Sequence, residues 1–359
     1  MLEILKPLRD QIDTIDAELL KLLNQRAELA HKIGEIKRDS NNNVAYRPER
    51  EAQILAHIQQ QNPGPLSNAH IQQLFIEIMS ACRALEKSIR VAYLGPSGTF
   101  SEDAVLKRFG NAITLVVCDS IDEVFRAVEL DDADYGVAPV ENSTEGAVGR
   151  TMDLLLQTPL LICGEIQLPI HQSIMSRSAD LTQIRKIYSH PQSLAQCQHW
   201  LKSNLPQLST SAFIHANSNA EAARLAATDK LSAAVGSKRA ASLFGLTVCV
   251  ENIEDDPKNT TRFLIIGNQW VDPSGKDKTS LALSTHNRSG AIYQILEPLA
   301  RHNVSMSRLE SRPLRTGLWS YAFFIDLEGH QHNDNVAAAL SEIQEKASFL
   351  KILGSYPSS

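Results

Sequence analysis

From Leu5 onward, apolar residues return in a heptad rhythm: Leu5, Leu8, Ile12, Ile15, Leu19, Leu22, Leu29, Ile33 and Ile36. Such a rhythm keeps one stripe on one side of a helix. It predicts a single helix over about residues 3–39, roughly 50 Å long at ~1.5 Å per residue. A lone helix of that length cannot bury its stripe, so the pattern asks for a second copy of the chain. One seam position carries Arg26 where an apolar residue is due. Arginine is rarely buried without a partner, so an anion is expected opposite it. Lys37 lies about 20° round the helix from Arg26 and ~16 Å along it, so the two long side chains can meet across one small ligand. Arg9 is ~25 Å from Arg26 along the axis and can serve that site only from the other chain.

Arg47-Pro48-Glu49-Arg50-Glu51 opens a second helix, with Pro48 at its first position. Asn62-Pro63-Gly64-Pro65 ends it, and Ser67 caps a third helix that runs to about Lys87. Three helices with Arg9, Arg26, Lys37 and Arg50 near apolar faces suit a small dianion. Solvated charges on a coiled coil are the alternative that the pattern leaves open.

At Ile89 the period shifts from helix to strand. A strand over 90–94 runs into Gly95-Pro96-Ser97-Gly98-Thr99-Phe100-Ser101-Glu102, where Thr99 and Glu102 are spaced as a capping box. Ser120 with Glu123 and Ser218 with Glu221 repeat that spacing. An apolar strand over 135–140 stops at Glu141-Asn142-Ser143-Thr144, and a helical pattern (Val148, Met152, Leu155, Leu156) follows. A strand that ends in polar residues ahead of a helix gathers backbone N–H groups and short polar side chains, a setting for a small anion. Further strands over 115–118, 161–170, 186–188, 213–216, 233–235 and 261–266 alternate with helices. That alternation means an α/β architecture with polar loops at the carboxyl edges of strands. Glycine-rich GPSG lacks the lysine of a nucleotide loop.

Asp272-Pro273-Ser274-Gly275-Lys276 reads as a linker. Beyond it come a strand over 280–285, a helix over 290–302, strands over 306–310 and 320–327, a helix over 336–347 and a strand over 350–353. This βαββαβ order is that of a small α+β, ferredoxin-like fold. It holds no cluster of acid, base and nucleophile, so it reads as regulatory.

Composition limits the remaining choices. A net charge of −6 argues against a nucleic-acid surface. The 5 cysteines form no CxxC, and with no cationic-apolar leader they read as free thiols of a cytoplasmic protein. No apolar run nears the ~18 residues of a membrane span, and the 11 histidines show no metal spacing, so neither membrane nor metal is expected. From the residues alone, two α/β lobes with anion-friendly loops describe a solute- or effector-binding protein without catalysis as well as an enzyme.

Three modules in this order resemble the bifunctional chorismate mutase–prephenate dehydratase family, over essentially the whole chain. In the helical arm the likeness rests on Arg9, Gln25-Arg26-Ala27-Glu28-Leu29-Ala30, Lys37 and Arg47-Pro48-Glu49-Arg50-Glu51. In the centre it rests on YLGPSGTFSEDA (Tyr93–Ala104), PVENSTEG (Pro139–Gly146), YSHPQSLAQC (Tyr188–Cys197) and NTTRF (Asn259–Phe263). The C-terminal part is similar to an ACT domain of the phenylalanine-sensing type, through Gly290-Ala291-Ile292 and Glu310-Ser311-Arg312-Pro313. Cys82 stands where some mutase arms have serine, and Glu86 where glutamine is found.

The resemblance implies a three-helix, intertwined mutase dimer over 1–90 and a two-lobed dehydratase like a type-II periplasmic binding protein over 91–272. An ACT regulatory domain over 277–359 would complete the chain. It implies conversion of chorismate to prephenate and of prephenate to phenylpyruvate, without a cofactor, inhibition by L-phenylalanine, and a homodimer or higher homo-oligomer. Chorismate would be held by Arg9, Arg26, Lys37, Arg47, Arg50, Glu51, Cys82 and Glu86, with Lys37 and Glu86 facing the ether oxygen and Glu51 the hydroxyl. Prephenate would meet Ser97, Thr99, Asn142, Ser143, Thr144, Ser189, Gln196, Thr261 and Arg262. Thr261 would be catalytic, and Arg262 would anchor a carboxylate or hold the loop. Phenylalanine would bind at Gly290, Ala291 and Ile292, with Glu310, Ser311, Arg312 and Pro313 as a turn closing over it.

Overall fold

The computed structural model describes residues 2–39, 44–285, 288–313 and 321–359, which form two compact units. The first takes in Met1–Ile89 with Arg108–Thr114. Its helices are α1 (Leu2–Asp39), α2 (Pro48–Gln61) and α3 (Asn68–Glu86). The heptad stripe of α1 is uncovered along its length: Ile12 is 55% exposed, Leu19 51% and Ile36 68%. Only the far end of α1 is packed on by α3. Gly34 permits this, because a Cβ there would lie 3.1 Å from the Glu86 Cα. Between α2 and α3 the buried Arg83 binds Glu51 and donates to the Phe109 carbonyl at 2.6 Å, with its guanidinium over the Tyr46 ring. Burial, opposed by Arg108, pushes the Tyr46 phenol up to about 12, so it stays neutral and accepts from Arg108 Nε at 2.8 Å.

The second unit begins with β1 (Arg90–Leu94), α4 (Phe100–Phe109), β2 (Thr114–Cys118), α5 (Ile121–Glu129), β3 (Tyr135–Asn142), β4 (Gly146–Ala147), α6 (Gly149–Gln157) and β5 (Leu161–Pro169). The chain then crosses into a second lobe. There it forms β6 (Ser173–Ser176), β7 (Lys186–Ser189), α7 (Pro191–Gln196), α8 (Gln198–Asn204), β8 (Phe213–His215), α9 (Asn219–Ala226), β9 (Ser232–Gly236), α10 (Lys238–Phe244) and β10 (Thr247–Val250). It returns as β11 (Thr260–Gly267), which enters the first sheet between β3 and β5. The first sheet has the order β2-β1-β3-β11-β5 and the second β10-β6-β9-β7-β8. β1 and β3 are parallel, whereas β11 is antiparallel to both of its neighbours.

The C-terminal part is β12 (Asp277–Ser284), α11 (Ala291–Arg301), β13 (Met306–Pro313), β14 (Tyr321–Glu328), α12 (Asp334–Lys346) and β15 (Phe349–Pro357), in a sheet ordered β13-β14-β12-β15. One face of this sheet packs on α11 and α12 through Leu281, Ile295, Leu327, Leu340 and Ile343. Its other face enters the core of the first lobe: Ala282, Phe324, Leu353 and Tyr356 share one cluster with Val140, Leu155, Ile162 and Leu264. β15 lies so close to β5 that a side chain at Gly354 would meet the Ile162 carbonyl.

Four local expectations change. The strand expected over 135–140 continues to Asn142 and turns back as β4, so the polar run 141–144 is a hairpin tip and not a helix N-terminus. Ser120 and Ser218 do cap α5 and α9, but the Glu123 and Glu221 carboxylates reach back to the N–H of Asp119 and Asn217, one residue before each cap. Thr99 makes no box: its hydroxyl donates to the Leu94 carbonyl, and Glu102 accepts from Gly98 N. The segment 272–276 is tied down by Asp277, whose carboxylate accepts from Ser274 N and Gly275 N. No helix among the described residues is long and apolar enough to cross a membrane.

Candidate active sites

Antiparallel pairing of β11 with β3 puts the start of one strand beside the end of the other, and Thr261 stands opposite Asn142. The Asn142 amide is completely used. Its Nδ2 donates to Thr261 Oγ1 and to Asn259 Oδ1, both at 2.9 Å, and its Oδ1 accepts from Thr144 N at 3.0 Å and Glu145 N at 3.1 Å. The two backbone donors fix which end of the amide is oxygen. Thr261 Oγ1 is therefore an acceptor from Asn142. Among the described residues its own proton has no acceptor, so the half-buried hydroxyl is free to donate to a ligand. Thr144 adds a hydroxyl 3.4 Å from Asn259 Oδ1, whereas Ser143 is spent on the strand pairing, accepting from Thr260 N at 3.0 Å.

The second lobe supplies a matching polar group at the carboxyl end of β7. The buried Ser189 hydroxyl donates to the His190 carbonyl at 3.2 Å. Gln172 Nε2 donates to Ser193 Oγ at 3.0 Å and Gln196 Oε1 at 3.4 Å, and Asn219 Nδ2 donates to Ser193 Oγ at 2.8 Å. Burial, with His215 in support, holds His190 below the ordinary histidine range, so its Nδ1 is free to cap Gln192 N. In the loop after β1, Ser97 lies 3.1 Å from the Tyr93 hydroxyl, and the Gly98 carbonyl accepts from Ser237 of the second lobe at 2.9 Å.

Arg262 does not join this group. Alternation along β11 turns it to the face opposite Thr261. There it donates to Glu165 Oε2 at 2.8 Å, Asp326 Oδ2 at 2.6 Å and the Tyr356 hydroxyl at 3.0 Å. Its expected roles are anchoring a carboxylate or holding the loop, and these bonds occupy the guanidinium with a buried tie to β5, β14 and β15. Burial works to raise the Glu165 carboxyl, but Arg262 and Lys278 outweigh it and hold the group below the usual carboxylate range.

In the helical unit, Lys37 Nζ and Glu86 Oε2 meet at 2.8 Å, brought together by the close approach of α1 and α3 at Gly34. Glu51, expected at a substrate hydroxyl, is paired through Oε1 with Arg83. Cys82 is buried, and Arg47 lies 3.7 Å from Glu49. Arg9 and Arg50 are exposed, Arg26 is half-buried, and none of the three has an ion pair among the described residues.

Gly290 caps α11 with φ +75°, a left-handed conformation that suits glycine, and Ala291 and Ile292 form the first turn. The expected turn over 310–313 is instead the end of strand β13, where Arg312 grips the Asp153 carboxylate on α6 with Nη2 to Oδ2 at 2.8 Å. Asn259, Gln172, Ser193 and Asn219 were not singled out from sequence. Asn259 and Ser193 do lie inside the quoted NTTRF and YSHPQSLAQC runs, and their polarity beside a strand end was the available signal.

Family profiles match in the same order as these sites: type II chorismate mutase over residues 8–87, prephenate dehydratase over 91–270 and ACT over 279–345. A bifunctional chorismate mutase/prephenate dehydratase of Neisseria gonorrhoeae is 49% identical, over 99% of this chain and 97% of its own. The structure of a prephenate dehydratase from Arthrobacter aurescens in complex with L-Phe is 32% identical at a TM-score of 0.69, covering 75% of this chain and 90% of the other. A chain described as a quorum quenching acylase reaches the same TM-score at 30% identity, covering 75% and 98%. With all three profiles present and near-complete coverage by a relative of the same organisation, this protein belongs to the bifunctional chorismate mutase/prephenate dehydratase family.

Proposed function

We propose that the chain performs two consecutive steps of phenylalanine biosynthesis, with mutase, dehydratase and ACT modules over 1–90, 91–272 and 277–359. The whole-length likeness to a bifunctional enzyme supports this over a binding protein without catalysis. In the first step, chorismate rearranges as its ether C–O bond breaks and a C–C bond forms. No nucleophile is needed, only a compact conformer and cations where negative charge grows. Arg26 and Lys37 of one chain, with Arg9 of a second copy, are the groups suited to it. The uncovered α1 stripe supports a homodimer in which two sites are shared.

In the second step, loss of CO2 from prephenate feeds an electron pair into the ring, and the ring hydroxyl leaves as water with a proton. The observation that carries this reading is the Asn142–Thr261 bond. Thr261 Oγ1 receives an N–H and keeps its own proton for the leaving oxygen. The N–H steadies the charge that develops on Oγ1 as the proton departs, and solvent restores the proton afterwards. Asn142 and Thr144 beside it, and Ser189 and Gln196 of the second lobe, are neutral, so they do not over-stabilise the carboxylate that must be lost. The ACT module, by its likeness to a chain solved with L-Phe, is the place for phenylalanine inhibition near Gly290. Adding chorismate to the purified protein and following absorbance tests the whole sequence. Phenylpyruvate should form without added metal or cofactor, and phenylalanine should suppress it; prephenate accumulating without phenylpyruvate would refute the dehydratase half.

A further inference from the structure

Three buried side-chain atoms without a hydrogen-bond partner among the described residues are Gln172 Oε1, Ser173 Oγ and Asn259 Nδ2; a fourth, Arg308 Nε, still lies 3.0 Å from the Glu141 carboxylate. The first three lie where the chain passes between the two lobes. Asn259 is the last residue before β11 and is 1% exposed. Its backbone carbonyl accepts from Ile170 N at 2.8 Å, which staples the returning crossover to the outgoing one. Its side-chain Oδ1 accepts from Asn142 Nδ2 at 2.9 Å and Thr144 Oγ1 at 3.4 Å.

We propose that Asn259 is a positioning residue for the dehydratase step, holding the Asn142 amide in the orientation that leaves the Thr261 proton for the substrate. Asn142 is 7% exposed, so each N–H of its Nδ2 needs an acceptor. One N–H goes to Thr261 and the other to Asn259. Removing the Asn259 oxygen strands the second N–H and takes away one of the four bonds that choose the amide's orientation. The Thr144 and Glu145 N–H groups still hold Oδ1, so the amide pivots about that anchor as the stranded N–H seeks another acceptor; its bond to Thr261 Oγ1 loses alignment and the hydroxyl proton is no longer offered in the same direction. Because Asn259 sits on the crossover, the alignment of Thr261 is also tied to the geometry of the hinge between lobes. The Asn259 Nδ2 donor is itself orphaned in this dry place, a cost to stability that packing alone gives no reason to retain.

This inference rests on Thr261 being the proton donor, and the test separates the two. In the full-length protein, prephenate turnover is measured for Thr261→Ala, Asn142→Ala, Asn259→Ala and the double variant Asn142→Ala/Asn259→Ala. Asn259→Ala should lower dehydratase kcat by about 10- to 100-fold, as for a misaligned proton donor, with KM changed less than about threefold. Because Asn259 acts through Asn142, the double variant should be no slower than Asn142→Ala alone. Thermal melting of the second unit reports folding, and mutase turnover of the same samples serves as the internal reference for protein amount. If the alanine chain does not fold, Asn259→Ser takes its place with the same expected losses. Multiplicative losses in the double variant, or a kcat within twofold of wild type in Asn259→Ala, overturn the proposal. A near wild-type rate in Thr261→Ala overturns the underlying reading of Thr261 instead.

Discussion

Lys37 and Glu86 show how much a single contact can redirect a residue's role. Held 2.8 Å apart, they place an anion beside the cation proposed for the developing charge of the mutase step. Replacing Glu86 by glutamine keeps a carbonyl for Lys37, removes the negative charge and adds an N–H donor. Glu86→Gln should therefore keep mutase kcat/KM within about tenfold of wild type, whereas Lys37→Met should lose on the order of 10² or more; initial rates on chorismate decide both. The residue types of the sites were legible in the sequence, since cations on an apolar stripe and hydroxyls at strand ends are local patterns. Their partners were not. Glu51 meets Arg83 across 32 residues, Asn142 meets Thr261 across 119, and Arg262 meets Tyr356 across 94. Nothing local encodes such pairings, so the internal engagement of Glu51 and Arg262 emerges only from the fold.

At the scale of the element, a long periodic segment is readable by itself, and a short one mainly where a capping or turn signal follows it. The stripe on α1 repeats often enough to define a 38-residue helix. β6 and β10, of four residues each, have no place among the expected strands, whereas the similarly short β7 and β8 do, because each of those two runs into a polar turn that opens a helix. The turn that the ACT resemblance implies over 310–313 is the end of β13, an edge strand that tolerates Pro313. The exposed α1 stripe carries its own prediction. Arg9→Ala and Arg26→Ala chains, each inactive as a homodimer, should regain part of the mutase activity on mixing, because one of the two shared sites is then intact. Verified heterodimers that show no recovery would remove Arg9 from the partner's site.

Over the whole molecule, the C-terminal sheet is bound to the first lobe by the charged group of Glu165, Arg262, Lys278 and Asp326 as well as by apolar packing. Because the Glu165 carboxyl is held below its usual value, it adds stability above the unfolded value of ~4.5 and loses it as pH falls through the folded one. Urea unfolding of the second unit should thus weaken as pH drops below about 4.5, and Glu165→Gln should flatten that limb while lowering stability at pH 7. An unchanged acid limb in the variant would show that other carboxylates govern it. The shared core of β12, β14 and β15 with α6, β5 and β11 bears on how the protein melts. Homology counts three modules here, yet cooperativity follows contiguous apolar packing, and by that measure there are two. Calorimetry should accordingly resolve two endotherms, with the sensor and the dehydratase vanishing in one of them. A sequence boundary can thus mark where an ancestral gene was joined without marking any place where the present molecule comes apart.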